Sequence, residues 1–185
     1  MLNWRPSDPG QYRDVQTIWN YENTELNKSP EQRLQRLWRS SRDNARTPVQ
    51  WSGESNAGFT TGQPWISVNP NYTWLNAAQQ EADPDSILHF YKKAIALRKS
   101  LPVVRHGIYK EHFHNDKDLY VYSMEGAAQR LLVVCSFADR PMATKIPKGF
   151  DLCKAKLILC NYEKPDTLLM PYECRVYLWD KAEVL

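Results

Sequence analysis

Hydrophobic positions follow one period before about Leu101 and another after it. Upstream, apolar residues recur three and four apart, the spacing that lines one face of a helix. Ser29-Pro30-Glu31-Gln32 predicts a helix start, with Ser as N-cap, Pro at the first helical position and Gln reaching back. Leu34, Leu37 and Trp38 form its apolar stripe. Residues 12–26 read as another helix, with Val15, Ile18, Trp19 and Glu22 on one side. Asp83-Pro84 opens the clearest helix, on which Ile87, Phe90, Tyr91, Ala94, Ile95 and Leu101 mark a docking stripe. Lys92, Lys93, Arg98 and Lys99 lie outside that stripe or near the helix C-terminus, where cations are favoured.

After Pro102 the apolar residues alternate or run together in short stretches, predicting strands over 107–114, 118–124, 130–137, 156–160 and 174–179. The turns at 114–117 and 125–127 suit antiparallel hairpins, and strands at this spacing predict a small β-sandwich. Between the two regimes, residues 51–76 are rich in turn formers and lack a period. A loop of that length inside a compact domain is usually functional or disordered, and its five aromatics, Trp51, Phe59, Trp65, Tyr72 and Trp74, argue against disorder. The fold class is therefore α+β: a helical, loop-rich piece leading into an all-β module. A helix pair with a long aromatic loop needs something larger to cover it, so the chain reads as the end of a bigger protein.

Composition narrows the functional classes. A hydrophobic fraction of 42% and a charged fraction of 24% are those of a globular protein, and seven Trp with ten Tyr hint at stacking surfaces. The net charge of +3, with basic and acidic residues interspersed, excludes the extended basic face of a nucleic-acid binder. No signal-like segment or membrane-length apolar run is visible, so no membrane partner is expected and the chain reads as cytoplasmic. The four cysteines, Cys135, Cys153, Cys160 and Cys174, fall on segments that read as strands, without paired metal-ligand spacing. They are expected to be buried reduced thiols.

The candidate chemistry lies in SRDNARTPVQW, residues 41–51. Guanidinium groups donate in a fixed fork suited to hydroxyls and to carboxylates. The plainer reading has Arg42 and Arg46 both bracing the loop through backbone carbonyls. Asp43 and Asn44 read as turn formers. Trp51 and Trp65 could stack on a ligand but are expected to be packed and buried. His89, expected at an interface of the docking helix, and His106, His112 and His114 share no metal-ligand spacing, so neither a metal nor another cofactor is expected. Glu54, Glu81 and Asp85 read as solvated carboxylates. There is no Gly-rich phosphate cradle and no nucleophile elbow.

The segment RDNARTPVQW, followed by NAGFTTGQPWISVNPNY and DPDSILHFYKKAIALRKSLPVVRHGIY, closely resembles the oligo-1,6-glucosidase and α-glucosidase branch of glycoside hydrolase family 13. The likeness runs from Tyr12-Arg13-Asp14 to the C-terminal PYECRVYLW. It implies an eight-stranded β/α barrel followed by a β-sandwich, with this chain beginning just after the last barrel strand. Residues 1–101 are then the remnant of the catalytic barrel, a long excursion plus the final helix, and 102–185 the sandwich domain. Excursions at that face of a barrel build the active-site mouth. The resemblance also implies a retaining mechanism run by two carboxylates roughly 5 Å apart, with a third Asp steadying the sugar. The motifs of all three are missing from these 185 residues. His114-Asn115-Asp116 has the wrong order for the family's Asn-His-Asp signature and falls in a predicted hairpin.

Likeness to the family makes Arg42 the first candidate for substrate binding, holding the terminal glucose through an Asp expected upstream of this chain, and Arg46 the second. Val49 stands where relatives usually carry Met, and Ser52-Gly53-Glu54 replaces a more acidic turn, which leaves fine specificity open. Two functional classes follow. One is the C-terminal portion of an α-glucosidase cleaving terminal α-glucosidic bonds in short oligosaccharides. The other is a non-catalytic fragment or interaction module that keeps the glucosidase frame, as in transporter heavy-chain ectodomains. Oligosaccharide is the expected substrate partner; the missing barrel portion, or a second copy of the chain, is the expected protein partner.

Overall fold

In the computed structural model, which describes residues 3–181, the Ser29 hydroxyl accepts from the Gln32 backbone N–H while the Gln32 side chain accepts from the Ser29 N–H. This reciprocal cap starts α2 (Pro30–Ser40). The preceding helix, α1 (Val15–Asn23), is capped by Asp14 and ends three residues short of the predicted span. Leu34 and Leu37 of α2 bury with Trp4, Tyr12 and Ile66, and Ile18, Tyr21 and Trp38 pack around them. The predicted α1 face is therefore corrected. Ile18 turns inward together with Tyr21, three residues on, whereas Val15 and Trp19 are exposed.

Two compact units divide the chain, Met1–His89 and Phe90–Leu185. The first continues from α2 through the 51–76 loop to α3 (Ala77–Ala82). That loop is ordered by buried amides. The Gln50 side-chain amide donates to Asn71 Oδ1 (2.9 Å) and to the Leu75 carbonyl (2.7 Å), and Asn69 and Asn76 cap the turns on either side. These bonds are how so polar a segment holds one conformation, although Asn71 Nδ2 is left buried without a hydrogen bond.

The clear helix forms as α4 (Ile87–Ser100), with Arg98 and Lys99 in its last turn. Its apolar stripe splits in two. Phe90, Ala94 and Leu97 are half-buried on one side, while Ile87, Tyr91 and Ile95 are exposed on the other. A short helix not anticipated from the pattern, α5 (Pro102–His106), follows directly, with Pro at its first position.

Five strands occupy the predicted stretches: β1 (Ile108–His112), β2 (Leu119–Glu125), β3 (Gln129–Ser136), β5 (Lys156–Cys160) and β7 (Cys174–Asp180). They form an antiparallel sheet in the order β1-β2-β3-β7-β5. Alternation divides their side chains between two faces. Val103 of α5 buries against Leu131, Val133 and Leu178 on one face. On the other, Leu119, Val121, Leu132, Val134, Tyr177 and Trp179 bury with Leu169. Leu169 belongs to a two-residue strand, β6 (Leu168–Leu169), paired with β4 (Met142–Ala143). All four cysteines are free. Cys153 departs from the expected burial on a strand: it is exposed, on a 3-10 turn, and the other three are only partly buried.

Candidate functional site

The arginine segment folds as a 3-10 turn, Arg42–Ala45, capped by the Ser41 hydroxyl. Its shape places Asp43 inward, with no exposed surface. Asp43 Oδ2 accepts the backbone N–H groups of Arg13 (2.7 Å) and Asp14 (3.0 Å). Asp43 thus ties the segment to the start of α1, a longer-range role than the local turn expected for it. Asn44 donates to the Trp38 carbonyl at 3.0 Å.

That tie sets the position of Asp14. One oxygen of its buried carboxylate accepts from the Thr17 backbone N–H (3.0 Å) and the Thr17 hydroxyl (2.7 Å). The other accepts from Arg42 Nη2 at 2.6 Å. Arg46 Nη1 stands 3.7 Å from both Asp14 Oδ1 and Asp43 Oδ1. The carboxylate that Arg42 grips is therefore within the chain, at Asp14, where an Asp outside it was expected. Burial alone raises a carboxyl's pKa, but the hydrogen bonds from Thr17 and Arg42 outweigh it and hold Asp14 below the usual carboxylate range. At neutral pH Asp14 is a fixed anion beneath two cations.

The geometry brings Arg42 and Arg46 together over one buried carboxylate while leaving their side chains 64% and 41% exposed. A salt-bridged guanidinium still has free N–H groups, five donors against one accepted bond for Arg42. Tyr12 closes the floor of the cluster. Burial and the Asp43 carboxylate push its phenol up to about 12, so it stays neutral. Its hydroxyl and Asp43 Oδ1 are buried without a hydrogen bond.

The aromatic loop corrects another expectation. Trp51 and Trp65 are 55% and 67% exposed, where packed positions were expected, and Phe59 and Trp74 are exposed as well. The backbone beside Trp51 is held by a left-handed turn. Asn56, Ala57 and Gly58 take φ values of 50°, 57° and 65°, and the Ala57 carbonyl accepts from both Trp51 N–H and Ser52 N–H. Gly is favoured at position 58, because its φ is positive and an added Cβ would stand 2.7 Å from Ser52 Oγ, which would have to move.

The remaining candidates separate. His89 Nδ1, in the first turn of α4, lies 3.1 Å from both Ser86 Oγ and the Gln80 carbonyl. His112 Nε2 meets Ser123 Oγ at 2.9 Å inside the sheet. His114 and Asp116 fall in the turn between β1 and β2, and Asp116 is paired with Lys145 at 2.7 Å. Glu54, Glu81 and Asp85 are exposed. Among the described residues no cluster of His, Cys, Asp and Glu has the placement of a metal site.

Residues 10–107, which carry the whole arginine cluster and the aromatic loop, match the family model described as the alpha amylase catalytic domain. The chain belongs to the alpha-amylase family, glycoside hydrolase family 13. Within this family it is 40% identical, over 92% of its length, to the probable oligo-1,6-glucosidase 2 of Bacillus subtilis strain 168. The crystal structure of Bacillus licheniformis trehalose-6-phosphate hydrolase superposes with a TM-score of 0.89 at 38% identity, covering 96% of this chain and 34% of that one. The isomaltulose synthase of Protaminobacter rubrum superposes with a TM-score of 0.81 at 31% identity, covering 95% and 33%. The chain spans about a third of the length of the curated relatives it matches, 32% in the B. subtilis case.

The two arginines stood out as candidates in the sequence; the carboxylates beneath them did not. Asp14 was visible only as part of Tyr12-Arg13-Asp14, though an Asp directly before a helical pattern is an N-cap signal. Nothing local marked Asp43 as the link to α1, since its partners are 29 and 30 residues away.

Proposed function

We propose that the chain is the C-terminal portion of an α-glucosidase of the oligo-1,6-glucosidase type, in which Arg42 and Arg46 grip the sugar and the bond-breaking carboxylates lie outside these 185 residues. In this reading residues 1–101 complete the catalytic barrel, residues 102–185 form its β-sandwich domain, and the whole enzyme hydrolyses terminal α-glucosidic bonds in short oligosaccharides by a retaining mechanism. The observation that carries it is the Arg42–Asp14 pair with Arg46 behind it: two exposed guanidinium groups held in place by a buried anion. Such an arrangement is preorganised for neutral, hydroxyl-rich ligands. The donors are fixed before the ligand arrives, and the charge beneath them is already balanced.

The local chemistry also supports placing the catalytic acids elsewhere. A nucleophile needs lone pairs free to meet an anomeric carbon and a partner acid about 5 Å away. Asp14 has one oxygen committed to Thr17 and the other to Arg42, and Asp43 has one oxygen committed to two backbone amides with no exposed surface. Both act as anchors. Relatives named for oligosaccharide, trehalose 6-phosphate and sucrose share this frame, so the choice among these sugars is made outside it.

Complementation tests the proposal. Co-expression with the upstream two-thirds of the B. subtilis relative should give p-nitrophenyl α-glucoside turnover that falls at least ~100-fold, or about 2.7 kcal/mol, in Arg42→Ala. The 185-residue chain alone should be inactive. Turnover by the chain alone, abolished by Arg42→Ala, would place the carboxylates inside it and defeat the reading.

A further inference from the structure

Cys135 on β3 and Cys174 on β7 are direct cross-strand partners, and their Sγ atoms are 3.3 Å apart. The ladder fixes what kind of pair this is. The Ser136 N–H donates to the Glu173 carbonyl (2.8 Å) and the Lys181 N–H to the Ala128 carbonyl (2.8 Å), so the hydrogen-bonded positions fall on the alternate residues. Positions 135 and 174 therefore form a non-hydrogen-bonded pair, where opposed Cα atoms are about 4.5 Å apart. That separation lies inside the span a disulfide bridges, ~4.4–6.8 Å. Both side chains are on the face that carries Val133 and Val176, and both line an open cleft of about 650 Å³ between that face and α4. Small reagents in solution can reach them.

We propose that Cys135 and Cys174 are an oxidisable dithiol, a modification site that closes into a disulfide stapling the two central strands of the sheet. The oxidising equivalents come from a low-molecular-weight disulfide such as oxidised glutathione. The Cys135 thiolate attacks one sulfur of that disulfide, forming a mixed disulfide and expelling one glutathione thiolate, which takes up the proton lost by Cys135. Cys174 then attacks the Cys135 sulfur, the second glutathione leaves, and the Cys174 proton goes to it. Two protein thiols lose two electrons and two protons; one glutathione disulfide becomes two thiols.

The order of attack follows from the pair itself. Hydrogen bonding with Cys174 holds the Cys135 thiol below its ordinary range, and the same contact pushes the Cys174 thiol up. Neither of the other two cysteines makes a hydrogen bond to a thiol, although Cys160 lies near enough to Cys174 to act on it electrostatically. Cys160 has its sulfur against Glu173 at 3.3 Å, and Cys153 is exposed on its 3-10 turn.

The test is to incubate the reduced full chain with oxidised glutathione, alkylate the remaining thiols and map the peptides by mass spectrometry. The expected product joins the Cys135 and Cys174 peptides, is reversed by dithiothreitol, and persists in Cys153→Ser. In Cys174→Ser a glutathione adduct should accumulate on Cys135, because the resolving thiol is gone. Recovery of both residues as alkylated thiols, of stable separate glutathione adducts in the wild-type chain, or of either residue bonded to Cys153 or Cys160 would overturn the proposal.

Discussion

Arg175 is 4% exposed, and its guanidinium makes four hydrogen bonds. It donates to Glu173 Oε1 (2.6 Å) and Oε2 (2.9 Å), and to the carbonyls of Asp166 (2.8 Å) and Leu168 (2.6 Å). Glu173, with no exposed surface, also accepts from the Met170 N–H at 2.7 Å. Removing one partner strands a buried charge, so Arg175→Met should cost about 3–5 kcal/mol, read as a lower urea midpoint. A loss below ~1 kcal/mol would show that the pair is hydrated in solution.

The same residue-level logic gives a pH dependence. Asp14 and Glu173 both have pKa values lowered below the ordinary carboxylate range. Burial opposes this in each case, and hydrogen bonds from Thr17 and Arg42, or from Arg175 and the Met170 N–H, outweigh it. A group whose folded pKa is depressed contributes stability that is complete above its unfolded value, near ~4 for these types, and is lost as pH falls through the folded value. The Asp14→Asn variant keeps a side chain able to cap α1 but removes the charge and its titration. Its destabilisation relative to wild type should therefore be evident at pH 7 and shrink toward pH 3. A gap in urea midpoint that stays constant across that range would remove Asp14 from the acid response.

At the scale of elements, the strongest signals in the sequence were those written over three or four neighbouring residues. The Ser29 capping box formed as read, and Ser29→Ala should cost about 1 kcal/mol in thermal or urea unfolding. The five long strands were legible because apolar residues alternate or run together over five to eight positions between turns. The two-residue strands β4 and β6 were not, since a pair so short has no period. Helix α5 was hidden because Pro102 read as a stop after α4, whereas it opens a new helix of its own. That helix meets β1 at Gly107, where an added Cβ would stand 2.4 Å from the Val103 carbonyl oxygen. The obstruction is backbone and cannot rotate away. Gly107→Ala should destabilise the chain by ~1–3 kcal/mol, with the loss showing first as faster amide exchange in α5 and β1.

At the scale of the whole chain, what remained illegible was which apolar residues would find cover. Periodicity reports that a face is apolar, not that something lies against it. It therefore merged the two halves of the α4 stripe and put Val15 and Trp19 of α1 inward. The residues left open form a consistent set: Val15 and Trp19 on α1, Ile87, Tyr91 and Ile95 on α4, and Trp51, Trp65 and Trp74 on the loop. Scattered exposed apolar residues are ordinary on a folded surface, but rows repeating at helical spacing along two helices are the pattern of faces that pack. Under the proposed function the rest of a barrel covers them. For the 185-residue chain in solution the same faces should drive self-association. Light scattering at micromolar concentration should show oligomers, and replacing Ile87, Tyr91 and Ile95 together by Lys should shift the population toward monomer. The three side chains are already 70%, 64% and 49% exposed, so the replacement removes little internal packing and the circular dichroism spectrum should be retained. A chain that is monomeric before the substitution, at concentrations up to ~100 μM, would mean that these faces need no cover, and would weaken the case that a missing barrel supplies it.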